Sequence, residues 1–177
     1  PTAYGNYLLA GGILSVGDSV YVGSSSGGTG RLAVTANGVL TIAGTLTAYD
    51  TFQPYVDETE IELSGGTINT AALNLNGNPA LLNWTSGTLH INNNVSLDST
   101  APGTSTAAAF GASLTLGTDQ TLQITGWEIL GDTGTFDLTV NNGGSHTLTD
   151  TIFLGMNPGS QATVTVNDGG MVATNGT

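Results

Sequence analysis

The stretch from Asp18 to Gly44 aligns without a gap onto Asp150 to Gly176. Asp18/Asp150, Gly23/Gly155, Gly27/Gly159, Val34/Val166, Gly38/Gly170 and Gly44/Gly176 recur in register. Between them the apolar sites match in type: Val20/Ile152, Tyr21/Phe153, Val22/Leu154, Leu32/Val164 and Leu40/Val172. A chain that reuses one strand–turn–strand unit is expected to stack its copies, because one such unit cannot bury its apolar face alone. The expectation is a scaffold.

Short runs of β-branched and aliphatic residues alternate with polar ones along the chain, as in Leu32–Ala33–Val34–Thr35, Leu122 to Ile124, Thr135 to Val140 and Ala162 to Val166. Period and propensity read each run as a strand. Corners such as Asn37–Gly38, Asn142–Gly143–Gly144 and Asp168–Gly169–Gly170 supply residues that tolerate positive φ. A weaker echo, Ser64–Gly65–Gly66–Thr67–Ile68 against Thr85–Ser86–Gly87–Thr88–Leu89, sets a period of roughly 21 residues. That period predicts an all-β parallel β-helix of roughly eight turns, a rod about 40 Å long. The rival is a β-sandwich, also built of short strands. One domain over 1–177 is expected, with an aromatic loop near 48–60 and a Ser/Thr/Ala-rich excursion near 98–112 that carries a short helix at Thr106–Phe110.

Composition excludes several functions. There is no cysteine or lysine, and Arg31 alone faces 13 carboxylates, for a formal charge of −12. Nucleic-acid phosphates would be repelled, and Schiff-base, P-loop and thiolate-metal chemistry lack their residues. Only 8% of residues are charged, against roughly a quarter in ordinary domains. Hydroxyls and amides therefore solvate the surface. The apolar run Tyr7–Leu14 is far too short to span a membrane.

Three segments, VYVGSSSGGTGRLAVTANGVLTIAG, IELSGGTINTAALNLNGNPALLNWTSGTLHI and SLTLGTDQTLQITG, together resemble the low-complexity β-solenoid repeats of large secreted bacterial surface proteins. These include autotransporter passenger repeats and Gly/Thr/Asn-rich extracellular proteins sorted by exosortase. The resemblance covers most of Asp18 to Gly176. It implies export, a right-handed coil and a role at the bacterial cell surface or in its matrix, and it brings no catalytic residue.

Glu58, Glu60 and Glu62, if on a strand, share one face opposite Thr59, Ile61 and Leu63. Three carboxylates on a face are candidate Ca²⁺ ligands or a glycan acid/base set; the competing expectation is a solvated outer face. A polyuronate lyase would need a cation beyond Arg31, so no enzyme and no cofactor are expected. The calcium-roll pattern G-G-x-G-x-D fails, since Leu32 stands where Asp is required. His90 and His146 stand apart from other ligand residues and are expected at the surface or in corners. Trp84 and Trp127 are expected to pack in the core rather than stack on sugars.

The chain opens on Tyr4, Tyr7, Leu8 and Leu9 and closes on Met171 and Val172, apolar residues where a solenoid needs a polar cap. Either the stretch belongs to a longer array, or its ends pair head to tail. The expectation adopted is an extracellular structural solenoid that self-assembles into filaments, with cell-surface glycans as alternative partners.

Overall fold

The structure is a computed structural model that describes residues 4–49, 59–103 and 105–175. Its strands lie in successive rungs. The first rung holds β1 (Tyr4–Leu9), β2 (Ile13–Val16) and β3 (Val20–Val22). The second holds β4 (Thr29–Thr35) and the long β5 (Val39–Ala48), and the third β6 (Glu60–Ser64) and β7 (Thr67–Asn74). Next come β8 (Leu82–Trp84), β9 (Gly87–Ile91) and β10 (Val95–Leu97), then β11 (Ser113–Leu116), β12 (Gln120–Ile124) and β13 (Glu128–Leu130). The last two rungs hold β14 (Thr135–Val140), β15 (Ser145–Leu148) and β16 (Ile152–Leu154), then β17 (Gln161–Val166) and β18 (Met171–Thr174).

Every ladder between these strands is parallel, which rules out the sandwich. The longest sheet runs β18-β15-β12-β9-β7-β5-β2, with β3 also pairing β5. The others are β1-β4-β6-β8, β11-β14-β17 and β10-β13-β16. The result is a parallel β-solenoid of about six turns, fewer than the eight expected. The reason is rung length. Asn69 and His90 are 21 residues apart, but other steps take 26 from Ser19 to Thr45, 28 from Thr41 to Asn69 and 33 from Asn94 to Trp127.

Alternation decides what fills the interior. In the long sheet Leu14, Leu40, Ile68, Leu89, Leu122, His146 and Val172 form one inward column. Its outer neighbours form a column of Ser15, Thr41, Asn69, His90, Gln123, Thr147 and Ala173. Burying each inward Leu or Ile contributes about 1.5–3 kcal/mol, and the stacked columns make the core continuous along the axis. Corners repeat too: backbone N–H groups of Gly65, Gly87, Asp119 and Gly143 donate to carbonyls of Ser86, Asp119, Gly143 and Gly169. At Gly87, φ is 95° and an added Cβ would sit 2.4 Å from the Gly66 carbonyl oxygen, so no side chain fits there.

The excursion near 98–112 supplies the 33-residue step. Its 3₁₀ turn, Thr106–Ala108, replaces the expected short helix and bonds the rung above, with Leu73 N donating to Thr106 Oγ1 at 3.1 Å. The excursion is tied by Asp98, which is 2% exposed. Its carboxylate accepts from the backbone N–H and hydroxyl of Thr100, both at 2.7 Å, and from the N–H groups of Thr133 and Gly134. Burial pushes this carboxyl up, but the hydrogen bonds outweigh it and hold the group well below the usual range. A depressed carboxyl stabilises the fold above its unfolded value near 3.9, and that contribution fades as pH falls through the lower folded value. Asp98→Asn is therefore expected to cost about 2 kcal/mol at neutral pH. Urea unfolding should show the gap to the parent protein narrowing progressively below about pH 4.

Candidate functional site

The features that set this rod apart from its own interior lie at its ends. Among the described residues, β1 and β2 have a strand on one side only, as do β17 and β18. Side chains there have a neighbouring rung on one side only. Tyr4, Tyr7, Leu8, Ile13 and Tyr21 are exposed at one end, and Phe153, Leu154, Met156, Val166 and Met171 at the other. Of the residues singled out from sequence, Tyr4, Tyr7, Leu8 and Met171 are exposed. Leu9 is instead buried in the core, because its inward parity seats it on Val34. Val172 is half-buried against the core. Ile13, the most exposed at 77%, was missed although it begins an apolar pair with Leu14.

At the first rung the interior opens into a cavity of about 610 Å³, walled by Leu14, Val20, Leu32 and Leu40 with Tyr7 and Tyr21 at its margin. Glycine makes this space. Gly5 lies on Gly30 in the inward column, whereas the matching positions of the last two rungs carry Phe136 and Ala162. Thr29 also lines the cavity, and its buried hydroxyl has no hydrogen-bond partner. Tyr21 stacks on Tyr49 with ring centroids 6.2 Å apart.

The acidic face has a different occupant from the one considered above. Ile61 and Leu63 are fully buried and Glu60 and Glu62 point outward, as the alternation predicts. Register places Arg31 beside Glu60, and its guanidinium bonds Glu60 Oε2 at 3.1 Å and also Glu62. The Glu60 hydrogen bond, opposed by desolvation and helped by the charge of Glu62, raises the Arg31 pKa. Glu60 also accepts from Asn83 Nδ2 at 2.8 Å, and Glu62 from the Ser64 hydroxyl at 3.1 Å. Glu58 lies outside the described residues. Among the described residues no three His, Asp or Glu side chains gather as a metal site.

The histidines part company. His90 is half-buried on the outer face, where Nε2 meets Thr125 Oγ1 at 2.8 Å and Nδ1 meets Asn69 Oδ1 at 3.2 Å. Asn69 uses its amide nitrogen on Thr41 Oγ1, so Oδ1 faces the ring and Nδ1 carries the hydrogen. Burial pushes the His90 pKa down, which suits a neutral ring in this chain of polar side chains. His146 corrects the surface expectation: it is fully buried, with Nε2 2.7 Å from Glu128 Oε2 and Nδ1 3.3 Å from the Leu122 carbonyl. Glu128 is buried as completely, and its Oε1 has no partner. Trp84 packs against the core as expected, with Nε1 donating to the Gly87 carbonyl; Trp127 is half-buried.

No protein-family model, curated protein or solved structure matches this chain.

Proposed function

We propose that this protein is a structural β-solenoid of the bacterial cell surface or extracellular matrix, whose end rungs bind further copies head to tail. One observation carries the reading: both ends combine open strand edges with exposed apolar side chains, and such edges recruit other strands. A heterologous contact between unlike ends does not close, so it generates a filament. The secreted-repeat resemblance supports export, and the strong preference for right-handed parallel connections supports a right-handed coil. Calcium has no part in this reading, since a cation on Glu60 and Glu62 would have to displace Arg31 from both. Sedimentation of the purified chain over rising concentration, with electron microscopy, is expected to show growing linear particles. A single monomeric species at the highest concentration would end the proposal.

One observation favours a second reading, a glycan-binding module. The outer face of the long sheet carries Thr67, Thr88, Thr121 and Ser145 in one column and Thr41, Asn69, His90, Gln123 and Thr147 in the next. This hydroxyl and amide surface holds no carboxylate, in a chain of net charge −12. Binding to neutral polysaccharides on a glycan array, abolished by charge placed at Thr88 or Thr121, would support it; an array with no hits would remove it.

A further inference from the structure

The two ends are matched to each other, and the match fixes how they would join; this inference rests on the head-to-tail reading. Stacking requires rungs of equal perimeter. The rod is uneven in the middle, with steps of 21 and 33 residues. At its ends the steps are nearly equal: 25 residues from Tyr4 to Thr29 and 26 from Ser19 to Thr45 at one end, and 26 from Asn141 to Asn167 at the other. The sequence repeat is the same fact in another form. Val39, Thr67, Thr88, Thr121, Ser145 and Met171 form one unbroken column, so the repeated units sit directly in line along the axis.

The column composition points the same way. Ile13 lies on Val39 at the first end and Met171 closes the column at the other, 77% and 49% exposed, while the four rungs from Thr67 to Ser145 carry Thr and Ser. In this column the apolar groups are confined to the first two rungs and the last. Tyr4–Leu9 and Ile13–Val16 at one end, and Gln161–Val166 and Met171–Thr174 at the other, contain no charged residue, although the chain carries −12. Two acidic rods can therefore meet at these edges without opposing like charges.

We infer that a second copy docks with its β1 on β17 and its β2 on β18, in the register the columns already use within the chain. Ile13 of the added copy lies beside Met171, Leu14 beside Val172 and Ser15 beside Ala173. In the other sheet Gly30 and Ala162 are equivalent, so Gly5 lies beside Ala162, Tyr7 beside Val164 and Leu9 beside Val166. The inward side chains of β17 then cover the open cavity of the first rung. Head-to-head contact would set the strands antiparallel and close after two copies, which leaves the other two ends bare.

The absence of cysteine makes the register testable. Asn6 and Thr163 are exposed, outward-facing and side by side in the inferred junction, at the inter-strand spacing of about 4.8 Å. That distance suits a disulfide, whereas a partner two residues further along does not. The double variant Asn6→Cys/Thr163→Cys, oxidised under mild conditions, is expected to give a ladder of reducible multimers. The offset variant Asn6→Cys/Thr165→Cys should yield about tenfold less. Sedimentation of both variants under reducing conditions separates the two claims. Assembly without preferential linking at Asn6/Thr163 overturns the register and leaves the filament; absence of assembly overturns both. Circular dichroism of the reduced variants confirms that each is folded.

Discussion

Glu128→Val is expected to lower the unfolding free energy by about 3–5 kcal/mol, and His146→Leu by a similar amount. Each single change leaves the other polar side chain sealed in an aliphatic interior without its 2.7 Å partner. The pair is costly to keep as well as to break. Both groups are fully removed from water, and Glu128 Oε1 has no compensating hydrogen bond. The columns name the apolar replacements: Val95 and Ile152 flank Glu128, and Leu122 and Val172 flank His146. The double variant Glu128→Val/His146→Leu is therefore expected to fall within about 1 kcal/mol of the parent or above it. Chemical denaturation of the three variants forms a mutant cycle. Additive losses in the double variant would show that the two residues act separately.

Phe136→Ala is expected to cost about 3–5 kcal/mol. Phe136 is fully buried and among the largest of the fully buried side chains, and it fills the inward column beside Ala162. Its loss would reproduce inside the rod the hollow that Gly5 and Gly30 leave at the first rung, but with no route for solvent to fill it. Neighbouring rungs are pinned by their ladders, so the walls cannot collapse inward and the cavity penalty stays near its upper range. Urea unfolding measures the loss. A change under 1 kcal/mol would mean that the interior is far more compliant than the stacked columns imply.

Local alternation made several features legible in advance. The echo of Ser64–Ile68 in Thr85–Leu89 is a true rung step, with Thr67 on Thr88 and Ile68 on Leu89. Outward Glu60 and Glu62 against inward Ile61 and Leu63 followed from a period of two. The number of turns did not follow, because one local step says nothing about rungs lengthened by an excursion such as Asp98 to Ala112. His146 was misplaced although its signal was present: in Ser145–His146–Thr147–Leu148 it shares parity with buried Leu148. Its chemistry argued for water and its position for the core, and position decided. Glu128 gave no such signal, since all three residues of β13 are buried and alternation cannot sort them. The Arg31 clamp was hidden because its residues are brought together by register across rungs, not by sequence.

The parallel ladders lend the rod an uneven mechanical character. Their hydrogen bonds run from rung to rung, along the long axis, while the covalent chain circles around it. Compression presses filled interiors together and meets stiff resistance. Tension on the two tips falls instead on those weak bonds, loading one ladder at a time, so the coil peels from an end like thread from a spool. Each rung released pays out a length of slack chain, so the solenoid would yield by lengthening before its backbone bore the load.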